Sequence, residues 1–384
     1  MDRFIETTPF FTDDHRALAA RVAEFSARQV EVRAIDEEQN IDEALRDYIR
    51  LLVEADLLRY AVPLPHRTFD LRSFCIIREA LSYSSSLADL AFVMQGLGTY
   101  AISLAATEHV RDFWLERANN GKAIAAFALT EPDAGSDVAA IKTTARQEGD
   151  AYILDGRKRF ISNAGVADFY TVFARTGTRD DGRAEISAFI VGARMPGFSV
   201  AERTKMLAPH PIGELKFEGC RVPAEDLIGS RGDGLRLALQ TLDTFRASVA
   251  AAASGMARRA LDESLAHAKS RQQFGRALSG HQLIQEKLAD MATEIDAARL
   301  LVYRAAYLKD TSTARSTREA SEAKLFATEA AGRIIDQAVQ IHGGTGLVRG
   351  SVVERLYRDV RALRIYEGTS EIQKLVIAGQ LFKE

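Results

Sequence analysis

At 384 residues the chain is long for one hydrophobic core and predicts two or three domains with room for a buried cofactor. Its 47% hydrophobic and 27% charged residues are ordinary for a globular protein, and a net charge of −3 offers nothing to a polyanion, so nucleic acid is not the expected partner. Cys75 and Cys220 are too few for a disulfide framework and too far apart for a zinc site, which leaves no metal expected and a thiol-tolerant cytoplasm as the natural setting. The N-terminus lacks a basic leader with an apolar core, and no segment is expected to reach the roughly 20 apolar residues that span a bilayer.

In the first part of the chain, Thr12-Asp13-Asp14 can cap a helix in which Leu18, Val22 and Phe25 step by four and three. Leu45, Ile49 and Leu52 repeat that spacing, Pro63 and Pro65 mark a break, and helices are expected over roughly 71–86, 88–105 and 108–117. Residues 123–228 change character. Ala123–Thr130, Ala151–Asp155, Phe169–Thr176, Glu185–Val191 and Glu214–Phe217 read as short strands between Gly, Asp and Asn turns, the pattern of an antiparallel β domain. Five of the eight prolines, Pro132, Pro196, Pro209, Pro211 and Pro223, fall in this stretch and none follows it, so the remainder reads as helices with short connections. There, Ile284, Leu288, Met291, Ile295 and Val302 trace the buried stripe of a bundle helix.

No GxGxxG follows a strand, and HExxH, GxSxG and Walker patterns are missing, which removes the Rossmann, metalloprotease, serine-hydrolase and NTPase readings. The densest chemistry lies in Gln340–Gln373, with Gly343, Gly344 and Gly346 followed by a helical run. Val352, Leu356, Val360 and Leu363 share one face of that run, Arg355, Arg358, Arg361 and Arg364 the other, and the helix is expected to stop at Gly368, leaving Glu367 at its end beside Tyr366. A carboxylate placed there is either a solvated surface group or, if desolvated, a base with a raised pKa.

Three segments carry a resemblance. Tyr366-Glu367-Gly368-Thr369, Leu129-Thr130-Glu131-Pro132-Asp133-Ala134-Gly135-Ser136-Asp137 and Gly156-Arg157-Lys158-Arg159-Phe160-Ile161-Ser162-Asn163 together resemble the acyl-CoA dehydrogenases, and the likeness extends over nearly the whole chain. The resemblance implies an α+β multidomain fold: an N-terminal helical domain over 1–121, a central antiparallel β domain over 122–229 and a C-terminal four-helix bundle over 230–384. It implies FAD as cofactor. Phe127, Leu129, Thr130, Ser136, Phe160 and Ser162 would meet the flavin ring, with Phe160 standing where a Trp is common and the Ser162 hydroxyl near flavin N5. Arg271, Phe274, His281 and Gln282 would hold the pyrophosphate and adenosine, and Gln340, Gly343, Gly344, Thr369 and Glu371 would complete the cofactor site, in the family across a subunit interface. A homodimer or homotetramer follows.

For the substrate, an acyl thioester on CoA or a carrier protein, the resemblance implies contacts from Ser136, Asp243, Phe245, Arg246, Tyr366 and Gly368, with Glu367 taking the α proton and flavin N5 the β hydride. Asp243 and Arg246, three apart on one helix face, also fit a plain intrahelical ion pair. Phe245 stands where some relatives carry a basic Glu, so no second carboxylate competes with Glu367. Two places depart from the family pattern: Leu64-Pro65-His66-Arg67-Thr68-Phe69 replaces a Gly-rich turn, and Met206–Gly213, with Pro209, His210 and Pro211, replaces a Gly-x-Arg-x-Ser segment. The implied activity is α,β-dehydrogenation with electrons passed to an electron-transfer flavoprotein. A flavin oxidase or monooxygenase and a non-catalytic flavoprotein are the alternatives.

Overall fold

The computed structural model describes residues 2–312 and 315–383. Contacts gather the chain into two compact units: one from Met1–Glu38, Asp70–Asp89 and Asp243–Glu384, the other from Gln39–Phe69 and Leu90–Leu242. The helices in chain order are α1 (Arg3–Thr7), α2 (Asp13–Phe25), α3 (Ile41–Glu54), α4 (Leu71–Ser84), α5 (Ser86–Ala105), α6 (Glu108–Asn119), α7 (Gly234–Ser270), α8 (Gln282–Thr311), α9 (Thr317–His342), α10 (Val352–Val360) and α11 (Ser370–Leu381). The strands are β1 (Ala125–Ala128), β2 (Thr144–Glu148), β3 (Ala151–Ser162), β4 (Phe169–Thr178), β5 (Ala184–Gly192), β6 (Phe198–Arg203), β7 (Ile212–Pro223), β8 (Leu227–Ile228), β9 (Gln272–Gln273) and β10 (Arg276–Ala277).

The first unit is helical. Its stripes match the spacing that predicts them: Leu18 and Val22 of α2 and Met291, Ile295 and Val302 of α8 are buried. Helix α4 packs against α2 and α8, and α9 against α8, α10 and α11. Polar groups inside this unit are tied together. Glu79 of α4 accepts from Tyr303 Oη (2.6 Å) and pairs with Arg258 (2.7 Å) and Arg299 (2.9 Å), fastening α4 to α7 and α8.

The second unit holds the sheet, ordered β6-β7-β3-β2-β4-β5-β8, with β1 also on β4. Most pairs are antiparallel, as the turn pattern predicts, but β1 and β2 each pair with β4 in parallel, because longer excursions of chain separate them from it. Strands β2 and β6 escape prediction because they face solvent along most of their length; β2 carries no apolar alternation, and that of β6 is confined to Phe198 and Val200. Helix α5 meets the sheet closely at Gly98, where a Cβ would sit 2.7 Å from the Ala125 Cβ, and Thr171 donates to the Gly98 carbonyl (2.7 Å). Gln95 binds the same strand, its Oε1 accepting from Ala125 N at 2.7 Å.

Two expectations need correction. Ser86–Ala105 is long and apolar enough to cross a membrane, with mean hydropathy 1.3, although 83% of that window is buried within the protein; Ala, Gly and Ser between the larger side chains hid it from the apolar count. The helix expected to reach Gly368 ends at Val360 and tightens into a single 3₁₀ turn, Arg361–Arg364. Its buried face is Val353, Leu356, Val360 and Leu363, with Val352 only half-buried.

Candidate active site

In the helical unit the chain reverses at Glu367 and Gly368, whose φ values of 54° and 93° end helical continuation, and Thr369 then caps α11 by accepting from Ile372 N (3.4 Å). A side chain at position 368 would also meet Gln373 Nε2 at 2.6 Å, so the reversal requires glycine there. Two buried side chains take up its carbonyls. Lys324 Nζ of α9 donates to the Gly368 oxygen at 2.6 Å, and Gln373 Nε2 donates to the same oxygen at 3.0 Å and to that of Glu367 at 3.3 Å.

The Glu367 side chain keeps part of its surface open, yet its Oε2 is buried with no hydrogen-bond partner. Desolvation raises its pKa above the usual carboxylate value, against the opposing fields of Arg78, Lys324 and Arg246, while Asp89 adds to the rise. Arg78 is itself 1% exposed and makes a two-pronged bond to Asp89 (2.7 and 2.6 Å) and one to Ser248 (2.9 Å). Arg246 pairs with Asp243 and leaves its buried Nε unpartnered. A neutralisable carboxylate thus stands among three cations with one oxygen free, the arrangement of a base that can take a proton without first breaking a bond.

In the sheet unit the loop after β1 is fixed from inside. Lys158 Nζ of β3, fully buried, donates to Leu129 O (3.0 Å) and to Glu131 (2.7 Å), whose carboxylate also accepts from Lys142 N (2.6 Å) and Thr143 N (3.0 Å). Arg159 N donates to Thr130 O at 2.9 Å. Register shifts in the β3–β7 ladder between Lys158 and Ile161 put Phe160 at φ 55°, and its ring is turned outward, 49% exposed, with the Arg159 guanidinium 5.1 Å from its centroid. Next to it, Ser162 Oγ is bonded to His210 Nε2 at 2.8 Å, and burial pushes His210 down to about 4, so the imidazole is neutral at pH 7.

Sequence profiles for the acyl-CoA dehydrogenase N-terminal, middle and C-terminal domains match residues 12–122, 126–220 and 232–382. The chain belongs to the acyl-CoA dehydrogenase family. The 3-(aryl)acrylate reductase of Clostridium sporogenes is 39% identical over 97% of this chain and 100% of its own. The caffeyl-CoA reductase-Etf complex subunit CarC of Acetobacterium woodii is 36% identical over 98% and 100%. Among solved structures, an acyl-CoA dehydrogenase from Bacillus anthracis complexed with FAD has a TM-score of 0.91 at 32% identity, covering 98% of this chain and 68% of that one.

Within this acyl-CoA dehydrogenase the residues singled out from sequence fall into separate groups. Asp243, Arg246, Tyr366, Glu367 and Gly368 gather in the helical unit, with Thr369 and Glu371 at the start of α11. Phe245 is fully buried, its ring edge-to-face with Phe74 at 5.1 Å. Arg271 immediately precedes the β9–β10 hairpin, Phe274 lies at its turn, 94% exposed at φ 53°, and His281 and Gln282 follow it; Gln340, Gly343 and Gly344 are exposed at the end of α9. In the sheet unit, Leu129 is buried, Phe127 packs on Phe173 at 5.0 Å, and Ser136 is exposed on the loop. Sequence reasoning missed Arg78, Asp89, Lys324 and Gln373 around Glu367, and the Lys158–Glu131 pair and His210 in the sheet. The only available signal was charge at apolar positions of a helix or strand. Among the described residues no cluster of three or more His, Cys, Asp or Glu side chains could hold a metal.

Proposed function

We propose that the protein is an FAD-dependent oxidoreductase that interconverts a saturated and an α,β-unsaturated acyl-CoA, with Glu367 as the base at the α carbon. The observation that carries this reading is the Glu367 carboxylate itself: raised pKa, free Oε2, and a positive-φ turn that presents it. The α proton of a thioester is too weakly acidic to leave unaided, so a base within hydrogen-bond reach is required. The Glu367 backbone N–H is the donor to the thioester oxygen, and the cations around Glu367 stabilise the negative charge that develops at the site. Asp243 meets the carrier end of the substrate, and Arg246 helps shape the site.

The side chains fit FAD. A half-exposed aromatic ring on a bulged strand, Phe160, flanked by Thr130 and the Ser162 hydroxyl, offers a face and polar edges to a planar ring, and the exposed Arg271 suits a pyrophosphate. FAD held there would supply the hydride acceptor for the β carbon. Ser162, Phe127, Leu129 and Ser136 would hold the ring, and Phe274, His281, Gln282, Gln340, Gly343, Gly344, Thr369 and Glu371 would hold the rest of the cofactor. The almost fully exposed Phe274 supports a homodimer or homotetramer in which a second copy covers that hairpin. Electrons pass to an electron-transfer flavoprotein. Division of the chain into 1–121, 122–229 and 230–384 remains our reading of its domains, and a thiol-preserving cytoplasm suits the buried, unpaired Cys75 and Cys220.

The test is anaerobic mixing of the yellow enzyme with a panel of acyl-CoAs: one of them should bleach the flavin, and a protein that binds no FAD, or is bleached by none, refutes the reading. A second reading concerns direction. Two full-length relatives are reductases of aryl-acrylate and caffeyl-CoA type, and the same site run backwards has protonated Glu367 deliver the α proton. Chemically reduced enzyme mixed with an aryl-acrylyl-CoA regains its yellow colour if that direction is used.

A further inference from the structure

Lys324 exchanges no proton in the chemistry above, yet it is one of the three cations that face Glu367. Its side chain is completely buried on α9, where a lysine is normally paired with a carboxylate, and the bond it makes is instead to a backbone carbonyl, Gly368 O, at 2.6 Å. That carbonyl belongs to the second of two consecutive residues at positive φ, the first of which, Glu367, is not a glycine. A non-glycine residue holds such a conformation only where its surroundings over-determine it. The surroundings here are few and named. Lys324 and Gln373, both fully buried, bind the carbonyls of the reversal, and Gln373 Oε1 has no partner of its own, which leaves its amide nitrogen committed to the turn.

We propose that Lys324 is a positioning residue for the base: it clamps the Gly368 carbonyl, holds the 367–368 reversal in its positive-φ form, and keeps the Glu367 carboxylate ionised and able to accept a proton. The inference rests on Glu367 being the base. Its electrostatic half follows from what faces Glu367: Arg78 of α4, Asp89 of α5, Arg246 of α7, Lys324 of α9 and the adjoining Tyr366. Facing Lys324 are Glu367, Arg246, Glu329 and Glu371. Burial brings Lys324 down to about 8, so at neutral pH it remains mostly charged and opposes the desolvation of Glu367. Removing its charge leaves only the two arginines on that side of the balance, and the carboxylate then holds its proton to higher pH.

The experiment compares parent, K324M, K324Q, K324R and E367Q as FAD-loaded enzyme, following anaerobic flavin reduction by the acyl-CoA that bleaches the parent across the pH range. K324M is expected to reduce roughly tenfold or more slowly at neutral pH, with the acid limb of its rate profile moved upward by about one pH unit or more, one unit being a tenfold change in ionised base. K324Q, which keeps a donor for Gly368 without the charge, should show the shifted limb with a smaller loss of rate, and K324R should return the limb toward the parent's. A parental limb in both K324M and K324Q overturns the proposal, as does a limb that K324R leaves as displaced as K324M does. If K324M is recovered without flavin, K324Q alone carries the test in the same terms. Parental reduction by E367Q would instead remove Glu367 as the base, a failure distinct from that of Lys324.

Discussion

Two buried lysine–glutamate arrangements, one in each unit, use the same residue types to opposite ends. In the sheet unit, Glu131 accepts from Lys158 Nζ and from two backbone N–H groups; burial works to raise its pKa, but the Lys158 charge and those bonds outweigh it and the carboxylate sits below its usual range. In the helical unit, Glu367 has a lysine and two arginines nearby but an unpartnered Oε2, and desolvation wins. Both lysines are drawn down to about 8 by burial, but Lys158 is bonded to its carboxylate and Lys324 to a backbone carbonyl instead. The difference lies in whether contacts to the ionised form, the lysine's own included, have been completed: satisfied, a buried carboxylate is a fastener; unsatisfied, it is a proton acceptor in waiting.

The comparison breaks first at Glu367. Glu367→Gln preserves size and cannot accept a proton, so flavin reduction by the true substrate should slow by roughly the 10²–10⁴-fold typical of general-base loss, measured by anaerobic stopped flow. Stability should move the other way. A carboxylate whose folded pKa is raised contributes stability below its unfolded pKa and loses it as pH rises through the folded value, so at neutral pH the parent bears a cost that the Gln variant lacks. E367Q is therefore expected to melt at or above the parental temperature at pH 7, and a marked drop would mean that the carboxylate has an unseen partner.

Glu131→Gln sharpens the contrast from the other side. It leaves the Lys158 ammonium buried without its counter-charge, a loss of about 3–5 kcal/mol by the usual cost of breaking one side of a buried pair. Because Glu131 has a depressed pKa, its stabilising share is present above the unfolded carboxylate value and fades as pH falls through the folded one. Denaturant melts of parent and E131Q should therefore converge toward acid pH, whereas those of parent and E367Q should converge from the opposite sign. Equal melting of E131Q and parent at pH 7 would remove Glu131 as a fastener.

How much of this was legible in the sequence follows from the range of the interactions. Glu367 was legible because the Tyr366–Thr369 segment carries it, and the loop at Leu129–Asp137 likewise. The helices around them followed from apolar spacing, which is a local property. Apart from Arg246, the groups around Glu367 were not legible, because Arg78, Asp89, Lys324 and Gln373 come from four helices and only packing brings them to one place. What the basic face of the 352–364 run meets was hidden for the same reason. Arg358 is buried against Glu38 and Glu354, Arg355 donates to the carbonyls of Ala34 and Ser84, and Arg364 reaches Glu329, so three of the four arginines hold other segments in place. Periodicity assigns a face to a charge; it does not say what covers that face.

The smallest expected effect concerns the Met206–Gly213 segment. His210 Nε2 lies 2.8 Å from Ser162 Oγ, and, being neutral, the imidazole either donates to the hydroxyl or accepts from it. A hydroxyl held in this way has its remaining hydrogen-bonding capacity directed outward, toward whatever lies over Phe160. If Ser162 touches the flavin, His210 acts on the flavin only through it. Ser162→Ala and His210→Phe should then each change the flavin midpoint potential modestly and in a non-additive way, with a coupling within the roughly 0.5–3 kcal/mol seen for residues in one network. The potentials of the two single variants and the double variant, measured by equilibration with a redox dye, decide the matter. A double variant resembling S162A alone places His210 behind Ser162, while fully additive shifts would show that the imidazole reaches the cofactor by a route of its own.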